Sequence, residues 1–287
     1  MRVGTFLLAG AIALCGASEI AQAADHRVVS FDHGSLDTLD ALGLGDQVVG
    51  LPKQGLPAYL QEYQANRYTD VGSLKIPDTA AIKALEPTLI LVTGRQGEAV
   101  EELKDIADVH EANVGEGTYW TAFETKVLDL AEHFDRSQEA ERALSDLNDY
   151  IAKGRASIDT TGRMLVVTHN DGNFGLRTEP VVYDLLGFSV PKLPESVKTV
   201  TRGTRTFTPL TPADIAEIGP DQLLIVDRSN AIGQGDKALN VEALRTSLDA
   251  VGGEAISIKY LSPRLWYLSG GGLESVRLQV DEVLKAL

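Results

Sequence analysis

Five arginines follow predicted strands or lie in predicted loops, and their side chains suit the recognition of an anion. They are Arg95, Arg177, Arg202, Arg205 and Arg228. A guanidinium group stays charged, presents a planar fork of donors and stacks on aromatic rings. A single arginine in a loop is most often simply solvated, but several at equivalent strand ends favour a shared site. The pattern therefore predicts a binding site for a delocalised anion that carries oxygens or aromatic rings.

Aromatic residues stand in predicted loops near these arginines. They are Tyr119, Trp120, Trp266 and Tyr267. Each could stack on a ligand, a tyrosine could also ligate a hard metal ion, and packing into the core is an equally good interpretation. His169 ends a predicted strand and could line the same cleft, although a structural role is favoured.

Sequence motifs of the common enzyme classes are absent. The chain contains no G-x-S-x-G elbow, no H-E-x-x-H pair and no Walker loop. The segment Gly270–Gly272 precedes a predicted helix, where its amides could meet an anion, but flexibility at the helix start is the favoured interpretation. An exported enzyme that clamps an anionic metabolite with these arginines remains a less favoured alternative.

One segment occurs twice and places two of the arginines. It runs from a short helix through Pro87 and an apolar strand to Arg95, and again through Pro220 to Arg228, eight residues after the proline each time. A strand that is apolar on both faces belongs to a parallel sheet covered by helices. Ligands of such sheets bind beyond the carboxyl ends of the strands. Two similar lobes facing each other would therefore direct both arginines into one cleft.

The order of predicted elements indicates an α/β fold of two Rossmann-like lobes with mainly parallel sheets, joined by a long linker helix. We expect a signal peptide at 1–23, an N-terminal lobe at 24–121, an inter-lobe helical linker at 122–158 and a C-terminal lobe at 159–287. The linker region carries apolar residues at helical spacing, with a break near Asp135. A helical linker would limit large hinge motions around the cleft.

The first residues are typical of an export signal. Arg2 precedes the apolar run Phe6–Cys15, and a small-residue cleavage pattern ends at Ala23. The only cysteine falls inside this run, and Leu14 before it disfavours processing as a lipoprotein. We therefore expect a periplasmic protein without disulfides, with lipid anchoring as the second choice.

Composition restricts the partners. The 287 residues carry a formal charge of -15 and are 44% hydrophobic. The negative charge argues against nucleic acid and against anionic membrane surfaces, and its spread along the chain is typical of a solubilising surface. We expect a monomer with no resident cofactor.

Three motifs carry a resemblance to a known family. They are Thr93-Gly-Arg-Gln96, Ile225-Val-Asp-Arg228 and the glycine-rich segment Leu265–Ser275. The chain resembles the ferric-siderophore-binding proteins of ABC importers, which are class III solute-binding proteins, and within them the catecholate or petrobactin-type branch. This resemblance covers essentially the whole mature chain. It implies two α/β lobes with the ligand between them, and delivery of a ferric siderophore to an inner-membrane ABC permease without catalysis.

The resemblance also implies roles for single residues. The three arginines that hold the ferric catecholate in the family match Arg95, Arg228 and, across a small gap, Arg177. A tyrosine that can ligate iron matches Tyr267. The family branch with an iron-ligating histidine has it in the loop at 201–206, where this chain has none. The two arginines of that loop could contact the charge of the ligand instead.

Docking on the permease is a further departure. The family uses a glutamate on each lobe, and the matching positions are Ala80 and Ala213. Asp78 and Asp214 lie close enough to replace those glutamates.

Other cargoes of the same fold remain open at this point. Heme, cobalamin and a hydroxamate siderophore are the alternatives, and zinc or manganese is disfavoured because few histidines and carboxylates cluster. A ferric tris-catecholate carries about three negative charges, and several arginines would offset its desolvation through charge-assisted hydrogen bonds.

Overall fold

The computed structural model describes residues 26–203 and 205–287. The expected signal peptide and Cys15 lie outside the described residues. The N-terminal half forms a five-stranded sheet in the order β3-β2-β1-β4-β5, and every neighbouring pair is parallel. Its strands are β1 (Val28–Ser30), β2 (Val48–Leu51), β3 (Thr69–Asp70), β4 (Leu89–Val92) and β5 (Asp108–Glu111).

The C-terminal half forms a second five-stranded sheet in the order β10-β7-β6-β11-β12. Strands β6, β11 and β12 are parallel, whereas β7 and β10 run antiparallel at one edge. A separate two-stranded hairpin, β8 with β9, replaces the basic loop expected there. The strands of this half are β6 (Met164–Asn170), β7 (Asn173–Leu176), β8 (Val200–Arg202), β9 (Arg205–Phe207), β10 (Pro209–Leu210), β11 (Gln222–Asp227) and β12 (Ser257–Tyr260).

Helices cover both sheets. The α-helices are α1 (His33–Ala41), α2 (Thr79–Ala84), α3 (Ala99–Lys104), α4 (Tyr119–Glu132), α5 (Ser137–Ala156), α6 (Pro212–Ile218), α7 (Arg228–Ala231), α8 (Val241–Asp249), α9 (Pro263–Tyr267) and α10 (Leu273–Ala286). Short 3-10 helices occur at Gly45–Gln47, Ala58–Gln64 and Gly235–Lys237, and a π-helical turn at Val181–Leu185. In the ranges that the structure describes, none of these helices has the length and apolar character needed to span a bilayer.

The two repeated strands occupy equivalent places in their sheets. Strand β4 is buried along its whole length between β1 and β5, and β11 lies buried between β6 and β12. Their continuous apolar sequences suit this position because helices cover both faces of a parallel sheet. The predicted α/β fold with mainly parallel sheets is confirmed, and the carboxyl end of each strand carries one of the predicted arginines.

One apolar core continues from the first sheet to the second. It includes Leu91 of β4 and Val166 of β6, together with residues of α1, α4, α5 and α10. Helix α5 has 20 residues and is therefore about 30 Å long. The expected helix break is present, since Asp135 between α4 and α5 has a φ of 55°. The helical connection thus packs into the core of both halves.

Helix α10 closes the structure by packing against α1, at a distance that only glycines permit. A Cβ atom on Gly34 would lie 2.3 Å from the carbonyl oxygen of Gly270, and one on Gly272 would lie 2.3 Å from that of Gly34. Such distances are far below van der Waals contact. The glycine-rich segment is therefore required for close packing of α1 against the start of α10.

A buried carboxylate of α1 caps the start of α10. Asp37 accepts hydrogen bonds from the backbone amides of Glu274 (2.8 Å) and Ser275 (2.7 Å), and from the hydroxyl of Tyr59 (3.1 Å). Burial raises the pKa of Asp37 to about 6, although the amide hydrogen bonds partly offset it. The free amides of a helix start attract an anion, and here that anion is the protein's own Asp37.

Candidate functional site

Three arginines from different parts of the chain converge on the last turn of α9. Arg95 donates from Nη2 to the carbonyl oxygen of Tyr267 at 2.9 Å. Arg177 donates from Nη2 to the carbonyl oxygen of Trp266 at 3.0 Å. Arg228 donates from Nε to the hydroxyl of Tyr267 at 2.8 Å. The cluster assembles because carbonyl groups at a helix C-terminus attract cations.

Two of these guanidinium groups lie near the ring of Tyr267. The Cζ atom of Arg95 is 5.9 Å from the ring centroid, and the Cζ atom of Arg228 is 5.7 Å from it. Both distances fall within the range of cation–π attraction. Tyr267 is half-buried, and its hydroxyl accepts a hydrogen bond from Arg228. A phenolic oxygen in this position could ligate a hard metal ion.

Arg228 is held firmly by the end of β11. It is the first residue of α7, and its Nη1 donates to Oδ1 of Asn170 at 2.6 Å. The preceding residue, Asp227, caps α7 by accepting a bond from the amide of Asn230. Arg228 is half-buried. Its side chain is therefore oriented before any ligand arrives.

Asp227 is fully buried and satisfied by a ring of donors. These are Nδ1 of His169 (3.0 Å), the hydroxyl of Tyr260 (2.8 Å) and the amides of Leu239 (2.7 Å) and Asn230 (3.2 Å). Burial alone would raise the pKa of Asp227, but these hydrogen bonds outweigh burial and hold it below its ordinary value. The carboxylate thereby fixes the turn that carries Arg228.

His169 is part of this support and does not line the cleft. Its side chain is 2% exposed, and its Nε2 accepts a bond from the amide of Gly172 at 3.0 Å. The Nδ1 atom therefore carries the proton and donates to Asp227. The favoured structural interpretation of His169 agrees with this geometry.

Arg95 has a lighter support. It is exposed in the loop between β4 and α3, where the buried side chain of Gln96 accepts from the amide of Thr93 at 2.7 Å and closes the turn. The long-range contact of its guanidinium is the bond to Tyr267 described above. Arg95 thus reaches from the N-terminal half to an element of the C-terminal half.

Arg177 is paired with a carboxylate that sequence reasoning missed. Its Nε donates to Oε2 of Glu179 at 2.5 Å, and the two side chains are 28% and 7% exposed. A glutamate in a loop carries no distinctive signal, because most such residues are solvated. Only its burial beside the predicted arginine identifies Glu179 as part of the site.

Tyr119 and Trp120 begin helix α4, so their placement in a loop was wrong. Thr118 caps this helix, and both aromatic residues are half-buried against the core. Burial and the charges of Glu179 and Asp37 raise the pKa of Tyr119. Their contact with a ligand stays a prediction.

The prediction that the ring of Trp266 lines the cleft is wrong. Trp266 lies in α9 rather than in a loop and is 2% exposed. Its Nε1 donates to Oε2 of Glu282 on α10 at 2.5 Å. The indole is therefore a core residue, and only the carbonyl of Trp266 takes part in the arginine cluster.

The remaining predicted residues lie outside this cluster. Arg202 is exposed on the β8–β9 hairpin, with its guanidinium 5.4 Å from the ring centroid of Phe207. The backbone of Arg205 pairs with that of Arg202 across the hairpin. Asp78 caps α2, and Asp214 forms a capping box with Thr211 at the start of α6. Ligand contact by the hairpin and permease docking by the two aspartates stay predictions.

Comparisons with known proteins agree with this architecture. The family model for periplasmic binding proteins matches residues 28–252. The chain is 34% identical over 275 residues to the petrobactin-binding protein YclQ of Bacillus subtilis, covering 91% of this chain and 82% of that protein. The crystal structure of YclQ superposes with a TM-score of 0.80 at 32% identity, over 91% of each chain.

Two further solved structures share the fold. The iron uptake ABC transporter substrate-binding protein PiuA of Streptococcus pneumoniae matches with a TM-score of 0.74 and 31% identity, over 91% of this chain and 92% of its own. The catecholate-siderophore binding protein VctP of Vibrio cholerae matches with a TM-score of 0.73 and 25% identity, over 91% and 94%. The chain belongs to the periplasmic binding protein family.

Proposed function

We propose that this protein captures a ferric siderophore between its two lobes and delivers it to an ABC permease of the inner membrane. The observation that carries this proposal is the convergence of Arg95, Arg177 and Arg228 on Tyr267 and its neighbour in α9. Their planar donor groups match an anion whose charge is spread over several oxygens. The ligand is an anionic catecholate complex of iron.

The chemistry of the site supports such a ligand. A ferric catecholate keeps its negative charge on oxygens around the metal, and water competes for those oxygens. Charge-assisted hydrogen bonds contribute about 1.5–3 kcal/mol each, so three arginines offset the loss of hydration. The hydroxyl of Tyr267 supplies an oxygen ligand where the siderophore leaves iron incompletely coordinated, and Arg228 already orients that hydroxyl.

The relatives favour the same class of cargo. YclQ is named for petrobactin, and VctP for catecholate siderophores. PiuA is described as a substrate-binding protein of an iron uptake ABC transporter. Together they support a role in iron import. In this proposal the protein acts in the periplasm as a monomeric carrier rather than as an enzyme.

A fluorescence titration of the purified mature chain tests this proposal. The panel contains ferric catecholates, a mixed citrate–catecholate complex and ferric hydroxamates, with Trp120 and Trp266 as reporters. We expect quenching at sub-micromolar anionic catecholate. The variants Arg95→Ala and Arg228→Ala weaken it, whereas Arg142→Ala on the exposed side of α5 serves as the matched control.

A lack of response to the whole panel would overturn the cargo. Heme and cobalamin would then be titrated, since heme binding gives a Soret band that is easily recognised. Equal loss of affinity in Arg142→Ala would show that net charge, and not the cleft, controls binding.

A further inference from the structure

The arginine cluster contains a buried carboxylate beside Arg177, which binds the anion in the function proposed above. The residue Glu179 as a whole is 5% exposed, and its side chain accepts a hydrogen bond from Nε of Arg177. Among the described residues, the salt bridges of the arginine cluster are confined to this one pair. A negative charge in an anion site works against the anion, so its presence calls for a physical reason.

The backbone holds Glu179 firmly in place. Its carbonyl oxygen accepts the amides of Val182 (3.1 Å) and Tyr183 (3.0 Å) at the start of the π-helical turn. The side chain lies close enough to Tyr119 and Tyr183 for its charge to raise the pKa of both, after burial itself. The charge of Glu179 therefore acts on the start of α4, where Tyr119 lies, and on the π-helical turn that contains Tyr183.

Of the cations that the structure describes, Arg177 is the only one that forms a salt bridge with Glu179. Lys126 and Asp32 form their own buried pair at 2.7 Å. The carboxylate of Asp227 accepts hydrogen bonds from His169 and from the amide of Leu239. The pairing leaves the charges of Arg95 and Arg228 without a direct carboxylate partner in the described part of the chain, while that of Arg177 is compensated.

We propose that Glu179 sets the charge selectivity of the site, shifting its preference from trianionic ferric complexes toward complexes with one or two negative charges. This inference rests on the proposed function. The repulsion between a fixed carboxylate and a bound anion grows in proportion to the charge of the anion. Glu179 therefore penalises a trianion more than a monoanion, while Arg177 keeps its donors in position for either.

The substitution Glu179→Gln separates charge from geometry, because the amide oxygen can still accept from Arg177. The probes are a ferric tris-catecholate, which is a trianion, a ferric bis-catecholate, which is a monoanion, and a neutral ferric trihydroxamate. At low salt we expect the affinity to rise about twofold for each negative charge on the ligand, which is about eightfold for the trianion. The response to the neutral complex should not change, and thermal unfolding of the variant reports correct folding.

A second readout distinguishes selectivity from simple positioning. The gain for the trianion should exceed that for the monoanion at both low and high salt, because buried charges are screened much less than exposed ones. The matched control is Glu217→Gln on the exposed face of α6, which changes the net charge equally but lies outside the cluster. It should leave the ratio of the two affinities unchanged.

The outcomes are separable. Equal changes for the trianion and the monoanion in Glu179→Gln would leave the ratio of the two affinities unchanged. This result would assign Glu179 a positioning role and overturn the inference. Failure of the unmodified protein to bind any ferric complex would overturn the proposed function, and this inference with it.

Discussion

The two halves present equivalent arginines in very different ways. Arg95 follows β4 and is exposed, with one long-range hydrogen bond to the backbone of α9. Arg228 follows β11, is half-buried and is fixed by both Asn170 and the hydroxyl of Tyr267. The two copies of the repeated segment thus carry one exposed donor with a single long-range hydrogen bond and one half-buried donor held by two.

The residue before each arginine explains the difference. The first copy has Gly94, and the second has Asp227 at the same distance from its proline. Gly94 has open space where a Cβ would lie, whereas Asp227 is bound by four donors. A repeat can preserve the position of a side chain while its support diverges. We infer that the C-terminal half preorganises the site and that Arg95 completes it from the other side.

The largest expected effect tests the support in the C-terminal half. Asp227→Ala leaves the buried His169 and several other donors without a partner, so we expect the free energy of unfolding to fall by about 3–5 kcal/mol. The matched change in the N-terminal half is Asn113→Ala, which removes the bond to the amide of Gly94. That bond is exposed, and its loss should cost less than about 1 kcal/mol. Denaturant unfolding of both variants measures the difference, and equal losses would break the comparison.

Ligand affinity gives the next largest contrast. Arg228→Ala removes a preorganised donor and the group that orients Tyr267, so we expect about 100-fold weaker binding of a ferric catecholate. Arg95→Ala should cost only about tenfold, because the gain from an exposed side chain is reduced by the entropy of fixing it. Titration of both variants decides the order. A larger loss for Arg95→Ala would contradict our assignment of Arg228 as the better-fixed donor.

The pH dependence of stability should differ between the halves. The pKa of Asp37 is raised from 3.8 to about 6, so the folded state holds this proton more tightly than the unfolded state. Its contribution to stability is complete below about pH 4 and is lost as the pH rises toward 6. The pKa of Asp227 is lowered instead, so its contribution is present above pH 4 and is lost on further acidification.

Two substitutions isolate these contributions. Asp37→Asn should remove a decline of up to about 1.4 kcal/mol per pH unit in unfolding free energy between pH 4 and 6. Asp227→Asn should leave the slope in that window unchanged and flatten the loss of stability below it. Denaturant unfolding across the pH range measures both slopes, and parallel curves for Asp37→Asn and the unmodified protein would contradict the raised pKa.

The smallest expected effect is at Gly94. A Cβ atom there meets nothing within 4 Å, and its φ lies outside the left-handed region. Gly94→Ala should therefore change the unfolding free energy by less than about 0.5 kcal/mol while restricting the loop that carries Arg95. Tighter binding of ferric catecholate by this variant would sharpen the contrast, because rigidity would then be what the N-terminal half lacks.

Much of the site could be predicted from local sequence. The spacing from Pro87 and Pro220 locates two strand ends, and a buried apolar strand leaves its polar successor at the edge of the sheet. Arg177 and Tyr267 were also predicted from their residue types, the resemblance gave them roles, and the structure brings them together with Arg95 and Arg228. The linker helices were predictable because their apolar period extends over several turns.

Other features depend on tertiary contacts that local sequence does not reveal. Trp266 was expected in a loop, but the five-residue helix α9 buries it against Glu282. The roles of Glu179 and Asp37 depend on burial in the folded structure, and the spacing of residues in the sequence does not predict such contacts. The hairpin at β8 and β9 was missed because its basic residues are also typical of a loop.

The cap of α10 by Asp37 has a consequence for the order in which the chain can fold. Its partners, Glu274 and Ser275, lie 237 and 238 positions further along the sequence. The hydrogen bonds between Asp37 and α10 cannot form until residues 274 and 275 are available, so α1 lacks this partner while the intervening chain is made and exported. Among the contacts of α1 with α4, α10 and β1, the one with α10 spans the greatest distance along the sequence and must therefore form late.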